Sequence, residues 1–398
     1  MTHTAAETAS DGGHHTDWHP DLLRLADRLT AEGQERLQRI EQYAQQHLRR
    51  QSIEAWNQER LPMPMVEALG ELGLGELVLD GSSQLFQGLV HAALARADLS
   101  LSSVVGIHNE LIVGTVENLG SAEQREQWLP RLRSLQARGA FCLTEPEHGS
   151  DIAGGLATTA EPTADGWRIR GAKRWIGLGT VADIALIWAR STDDGQILCF
   201  LVPTSTPGYS ARLITPKTGL RIMQNAEIDL DLTVGPEAQL PGARSFASVS
   251  HGLRSSRAWV GWQAVGAQQA LLDIARSYAL DRQQFGRPLG SFQLIQSALA
   301  TIAGNLTVSA AFMAETARLQ EENRLTMGHA SMAKATLTRL ARESAATARE
   351  VLGGNGLLSE YEAAKVAADV EAIYTYEGTY SINQLILGRE LTGVSAFV

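Results

Sequence analysis

Apolar positions recur along the chain in two periods, and the changes of period mark three regions. Leu22, Leu25 and Leu29, then Leu37, Ile40 and Tyr43, return every three or four residues with charge between them. That is the pattern of amphipathic helices, and it runs to about Leu135. Breaks fall at Leu61-Pro62, Asp80-Gly81 and Leu119-Gly120, where proline or glycine interrupts the helical pattern. Near Gly139 the texture changes. Trp167-Arg168-Ile169-Arg170 alternates apolar with charged, and Ile228, Leu230, Leu232 and Val234 alternate with Asp229, Asp231 and Thr233. Such alternation predicts strands with one wet and one buried face. Two apolar runs, 183–189 and 196–202, have strand length, and the turn pairs Asp165-Gly166, Asp194-Gly195 and Pro207-Gly208 separate the strands. After His251 the helical period returns in three long proline-free segments, roughly 255–281, 292–322 and 329–352. Gly353-Gly354-Asn355-Gly356 closes the third.

The expected fold is therefore mostly α with a central β domain. A leader (1–20) precedes an N-terminal helical domain (21–137), a middle β barrel or sandwich (138–250) and a C-terminal four-helix-type bundle (251–398). The 398 residues, 44% of them hydrophobic, suffice for a large core.

Composition removes several function classes. No run approaches the roughly 20 uninterrupted apolar residues of a membrane helix, so no membrane role is expected. The first 20 residues are polar, which gives no secretory signal and leaves a cytoplasmic expectation. His3, His14, His15 and His19 read as a polar tail rather than a metal site. Only Cys142 and Cys199 occur, far apart, so neither a disulfide framework nor a zinc site is expected. A net charge of −10 argues against nucleic acid as a partner, while leaving room for an anion held by local arginines.

Five segments carry the chemistry: LTEPEHGSD from Leu143, GAKRWIG from Gly171, DRQQFGRPLGSFQ from Asp281, REVLGGNG from Arg349, and IYTYEGTYSINQLILGRELTG from Ile373. Together, in this order, they resemble the acyl-CoA dehydrogenase family, and most nearly its glutaryl-CoA dehydrogenase and plant short-chain acyl-CoA oxidase branches. The resemblance implies an FAD enzyme that removes two hydrogens from the α,β carbons of an acyl thioester. An α-proton beside a thioester is weakly acidic, so a carboxylate must sit over that carbon in a dry pocket. The β-hydrogen leaves as hydride, for which flavin is the acceptor.

By the resemblance Glu377, in Tyr376-Glu377-Gly378-Thr379, is the base. Some relatives place the base just before an arginine at the start of the first C-terminal helix; that position is Ser256 here, which cannot serve. Thr144 and Ser150 are implied to hydrogen-bond the flavin, Trp175 to pack beside its ring, and Thr379 to meet it near the base. Gly353 and Gly354 are implied to let the chain approach the dinucleotide. Arg282, Phe285 and Gln293 are implied to reach the FAD of a neighbouring subunit, which predicts a homodimer or a homotetramer. Arg257 and Arg254 are expected near the thioester carrier, with Tyr376 and Gly378 beside the substrate.

Two departures narrow the expectation. Glutaryl-CoA dehydrogenases hold the distal carboxylate of their substrate with an arginine. Counting back without gaps from LGSAEQREQWLPRL puts Ser102 at that position, so an uncharged, short acyl chain is expected. Gly177 stands where many relatives have Thr or Ser; it keeps a backbone N–H and opens space beside flavin N5. Leu178 stands where Asn is frequent. The electron acceptor is then an electron-transfer flavoprotein or, in an oxidase, oxygen. The handle is coenzyme A or an acyl carrier protein, the latter requiring a basic patch that includes Arg254 and Arg257. A non-catalytic acyl-thioester binding protein is the alternative from another class.

Overall fold

The computed structural model describes residues 18–396, so His3, His14 and His15 and most of the expected leader lie outside the described residues. The helical region is built from α1 (Ala31–Tyr43), α2 (Arg49–Asn57), α3 (Met63–Glu71), α4 (Gln84–Ala97), α5 (Leu99–Gly106), α6 (Gly114–Leu119) and α7 (Ala122–Arg133). The sequence breaks fall where expected: α3 starts just after Pro62, α4 follows Gly81, and α6 stops at Leu119. Between α5 and α6 the backbone widens into a π-helical segment, Ile107–Val113. Asn109 stabilises it, donating to Val105 O (3.0 Å) and to Leu74 O (2.7 Å) in the preceding region. His19 lies 3.6 Å from Glu41.

The middle region contains β1 (Gly139–Cys142), the short α8 (Ile152–Gly155), β2 (Thr159–Thr163), β3 (Gly166–Gly177), β4 (Ile184–Ser191), β5 (Ile197–Pro203), β6 (Tyr209–Leu213) and β7 (Asn225–Val234). These seven strands form one sheet. β5 runs antiparallel along one edge of β4, and β1 and β2 lie end to end, parallel, along the other. β2, β3, β7 and β6 continue the sheet by antiparallel pairing. β3, β4, β5 and β7 contain the four stretches read from alternation and apolar runs. β1, β2 and β6 are short and carry little alternation, and no expectation covered them.

The C-terminal bundle comprises α9 (Phe246–Asp281), α10 (Gln293–Glu321), α11 (Met327–Val351), α12 (Ala363–Thr375) and α13 (Tyr380–Thr392), with a small hairpin of β8 (Gln283–Gln284) and β9 (Arg287–Pro288) before α10. The first of these helices starts at Phe246, earlier than the apolar period suggested. One core runs from α4 and α5 across α9 to α11 and α12, so the first and last regions share their apolar interior. Glycines make this close packing possible: a Cβ on Gly88 would stand 2.1 Å from the Trp262 ring, and one on Gly106 2.7 Å from that of Trp259. Among the described residues, 99–119 and 293–321 are helical, long and apolar enough to cross a membrane by those two measures. The first lies inside the core, whereas α10 leaves Leu294 (85% exposed) and Val308 on the surface.

Candidate active site

A cleft of about 1670 Å³ opens where the three regions meet. Single small-ligand pockets are about 300–1,000 Å³, so this space has room for a dinucleotide together with a second ligand. Thr144, Ser150, Trp175, Gly177, Arg257, Tyr376, Glu377, Gly378 and Thr379 all border it. The geometry thus gathers residues from three of the five sequence segments.

The wall facing the middle region is shaped by two local devices. The first is a bulge in β3 between Lys173 and Ile176, inside GAKRWIG. Trp175 adopts φ 63° there, and its side chain is turned out, 53% exposed, against the cleft. The second device is a buried ion pair. Lys173 donates to Glu145 Oε1 (2.9 Å), to Leu143 O (3.1 Å) and to Trp188 O (2.8 Å), while Glu145 accepts from the N–H groups of Ala157 (2.6 Å) and Thr158 (2.8 Å). The carboxylate of LTEPEHGSD therefore fixes the loop that presents Thr144 and Ser150. Gly149 and Gly154 beside them face open space, which admits a phosphate to the backbone. These features fit an FAD.

The opposite wall carries Glu377. Glu377 and Gly378 are both left-handed (φ 53° and 82°), a costly pair of conformations for which glycine is suited at only the second position. The turn is held by its carbonyls. Lys334 of α11, fully buried, donates to Tyr374 O (2.7 Å) and Gly378 O (2.6 Å). Asn383 of α13 donates to the carbonyls of Glu377, Gly378 and Thr379 (3.3, 2.8 and 3.0 Å), and Arg257 Nε to that of Glu377 (3.2 Å). Thr379 then caps α13 by accepting from Ile382 N.

Neither cation touches the Glu377 carboxylate. Among the described residues its hydrogen-bond partner is the Ser256 hydroxyl, 2.5 Å from Oε2. Burial pushes the Glu377 carboxyl above its usual range, against the pull of Ser256, Arg257 and Lys334. Burial likewise lowers Lys334 to about 7, with Glu377 pulling the other way. A direct ion pair would have depressed the carboxyl by about 1–3 units and blunted it as a base. Here the charges grip the backbone, and the carboxylate keeps its basicity.

The cleft floor is formed by Ser103, Trp259 and Tyr376. Tyr376 donates to Gln263 Oε1, Gln263 donates to Ser103 Oγ (3.0 Å), and Ser103 donates to Leu99 O (2.8 Å). Trp259 packs between Tyr376 and His91, with ring centroids 6.0 and 5.8 Å away. His91 and Gln263, one layer behind, do not border the cleft, so this floor is closed.

Several expectations need correction. Ser102 faces away from the cleft and donates to His91 O (3.0 Å); its neighbour Ser103 takes the cleft position, with Ile107 and Leu111 one and two turns on. Gly177 opens no space, because a Cβ there would stand 2.7 Å from Ile107 Cδ1. Arg257 is only 7% exposed, with its guanidinium on Glu377 O and Met327 Sδ, and Arg254 does not border the cleft. Neither supplies a basic mouth. Arg282, Phe285 and Gln293, expected at the flavin of a neighbouring subunit, lie outside this chain's own cleft, as do Gly353 and Gly354, and all five are exposed, Phe285 at 93%. Sequence reading missed Lys334, Asn383 and Gln263. Lys334 had left a signal, a charge on the otherwise buried face of α11 with Ala330, Leu337 and Ala341.

Comparison with known proteins agrees with this arrangement. Family profiles described as the acyl-CoA dehydrogenase N-terminal, middle and C-terminal domains match residues 30–136, 140–232 and 245–392. The chain belongs to the acyl-CoA dehydrogenase family. A glutaryl-CoA dehydrogenase from Mycobacterium smegmatis superposes with a TM-score of 0.91 at 36% identity, covering 95% of this chain and 99% of that one. A second glutaryl-CoA dehydrogenase structure from that organism, in complex with FADH2, gives 0.90 at 31% identity, with 95% and 98% covered. The mitochondrial short-chain specific acyl-CoA dehydrogenase of Bos taurus is 32% identical over 345 residues, 84% of each chain. As a member of the family the protein is an FAD-dependent oxidoreductase acting on CH–CH bonds.

Proposed function

We propose that this acyl-CoA dehydrogenase oxidises a short, uncharged acyl-CoA between its α and β carbons, with Glu377 as the base. The observation that carries this reading is the Glu377 carboxylate, presented to the cleft by a left-handed turn and contacted by a neutral hydroxyl rather than a cation. In this reading Thr144, Ser150, Trp175, Gly177 and Thr379 hold the FAD. When bound, FAD supplies the two-electron acceptor for the β-hydrogen. Glu377 takes the α-proton, and the apolar walls of Ile107, Leu111 and Trp259 keep water from competing for it. Ser103, Trp259 and Tyr376 close the floor with no cation, which favours a short chain over a dicarboxylic one. The Ile107 side chain against Gly177 favours an electron-transfer flavoprotein over oxygen as acceptor, because it removes the opening an oxidase reading relied on. The absence of a basic mouth at Arg254 and Arg257 favours coenzyme A over an acidic carrier protein.

Anaerobic addition of butyryl-CoA to the flavin-loaded protein tests the base. Bleaching of the flavin band is expected for the wild type and not for Glu377→Gln; equal bleaching of both would remove Glu377 from the mechanism. The same reading places Arg282, Phe285 and Gln293 on the flavin of a second copy, which accounts for their exposure and for the apolar surface of α10. Light scattering should report a homodimer or homotetramer, and a flavin-saturated monomer would contradict it.

A further inference from the structure

We infer that Ser256 is a two-way positioning residue for the base, donating to Glu377 when it is ionised and accepting from it when it is protonated. This rests on the reading of Glu377 as the base.

Ser256 Oγ lies 2.5 Å from Glu377 Oε2 and 3.0 Å from Leu253 O, one turn back on α9. A hydroxyl has one proton and two lone pairs, so Ser256 donates to only one of these acceptors at a time. With Glu377 ionised, the proton points at the carboxylate. Once Glu377 has taken the α-proton, its new O–H donates to Ser256 Oγ, and the Ser256 proton swings to Leu253 O. No O–H bond of Ser256 breaks, and the contact between the two side chains is kept in both charge states. The side chain is fully buried, so water does not substitute for it.

The surroundings make this contact matter. The charged groups around Glu377 are Arg257 from α9, the helix that carries Ser256, and Lys334 from α11; Tyr376 flanks it in the turn, and Asn383 from α13 is neutral. Arg257, Lys334 and Asn383 all bind backbone carbonyls, which do not change when the carboxyl titrates. Ser256 is the partner that answers the change. A lysine or arginine there would only donate, holding the carboxyl ionised and weakly basic. An apolar residue would leave the carboxylate without this hydrogen bond.

The test uses FAD-loaded protein and acetyl-CoA in deuterated water across pH 5–9. Acetyl-CoA has an α carbon and no β carbon, so loss of its hydrogens, followed by mass, reports the base without flavin reduction. A hydrogen bond is stronger to the charged than to the neutral carboxyl, so Ser256→Ala should move the midpoint of the exchange profile up by about half to one pH unit. Below that midpoint the rate should fall by about 3- to 10-fold, with the plateau at high pH retained. Ser256→Cys, a weaker donor of similar size, should shift it less, and Ser256→Thr should restore the wild-type midpoint. A merely structural role would lower the plateau and leave the midpoint in place. An unmoved midpoint in Ser256→Ala and Ser256→Cys would overturn the inference. Exchange that persists at the wild-type rate in Glu377→Gln would instead show that the base itself is misassigned.

Discussion

Lys334 and Lys365 are both buried in the C-terminal bundle, and they are solved in opposite ways. Lys365 of α12 reaches Asp98, the N-cap of α5, and Asp369 one turn on at 3.3 Å. Asp369 also accepts from Trp56 Nε1 (2.9 Å) and Leu220 N (2.6 Å), so the triad ties α2, α5, the cleft-lining loop at Leu220 and α12 together. Burial opposes its charge, yet the carboxylates of Asp98 and Asp369 hold Lys365 above its ordinary value. Lys334 has carbonyl dipoles as its hydrogen-bond acceptors, and burial takes it down to about 7. One lysine is locked as a structural cation where the regions join. The other steadies the catalytic turn and leaves the carboxylate beside it unpaired by charge. The difference shows how a chain can anchor a base through its backbone while keeping that base reactive.

Removing each ammonium separates the two roles. Lys365→Met leaves Asp98 and Asp369 facing each other without compensation, and should cost about 3–5 kcal/mol of stability in denaturant unfolding. If the stability were unchanged, the triad would not be what joins these regions. Lys334→Met removes the donor to two carbonyls and should cost less, about 1–3 kcal/mol. Its larger effect should fall on the base. Loss of the nearby charge pushes the Glu377 carboxyl further up, so the pH profile of flavin bleaching by butyryl-CoA should move to higher pH, with a slower rate below its midpoint. A Lys334→Met protein with a normal rate and a large loss of stability would erase the distinction.

The sequence made one side of this comparison more legible than the other. Alternation located β3 and β7, apolar runs of strand length located β4 and β5, and three of the five segments placed residues at the cleft, because those features are local. The contact from Ser256 to Glu377 spans 121 positions and follows only from how α9 packs beside the last turn. Ser102 and Ser103 could not be told apart by counting. Facing depends on the helix's rotation as packed, and the π segment at Ile107–Val113 changes the turn just beyond them. Gly177 read as an opening, because nothing local reveals that Ile107 arrives there from another region. Arg282, Phe285 and Gln293 were legible as motif residues, and the single chain leaves them exposed rather than at its own cleft.

Two buried histidines extend the contrast to a group that stays neutral. His108 donates through Nε2 to Leu132 O (2.8 Å), and its Nδ1 is buried with no partner among the described residues. A proton on Nδ1 would be an unpaired interior charge, and burial lowers His108 to about 4, the Leu132 carbonyl opposing; burial also lowers His91 to about 4. The unfolded chain takes these protons near pH 6.5, while the folded chain refuses them until about pH 4. Between those values the unfolded state binds more protons, so stability falls as pH falls. At pH 5 the loss should be about 2 kcal/mol per histidine relative to pH 8. Urea titrations at pH 5 and pH 8 of wild type and His108→Gln measure it. The variant starts lower, having lost packing, but should recover about 2 kcal/mol of the pH-dependent difference. Equal pH dependence in the two proteins would mean that His108 is protonated in the folded chain, and that this interior tolerates a charge no partner meets.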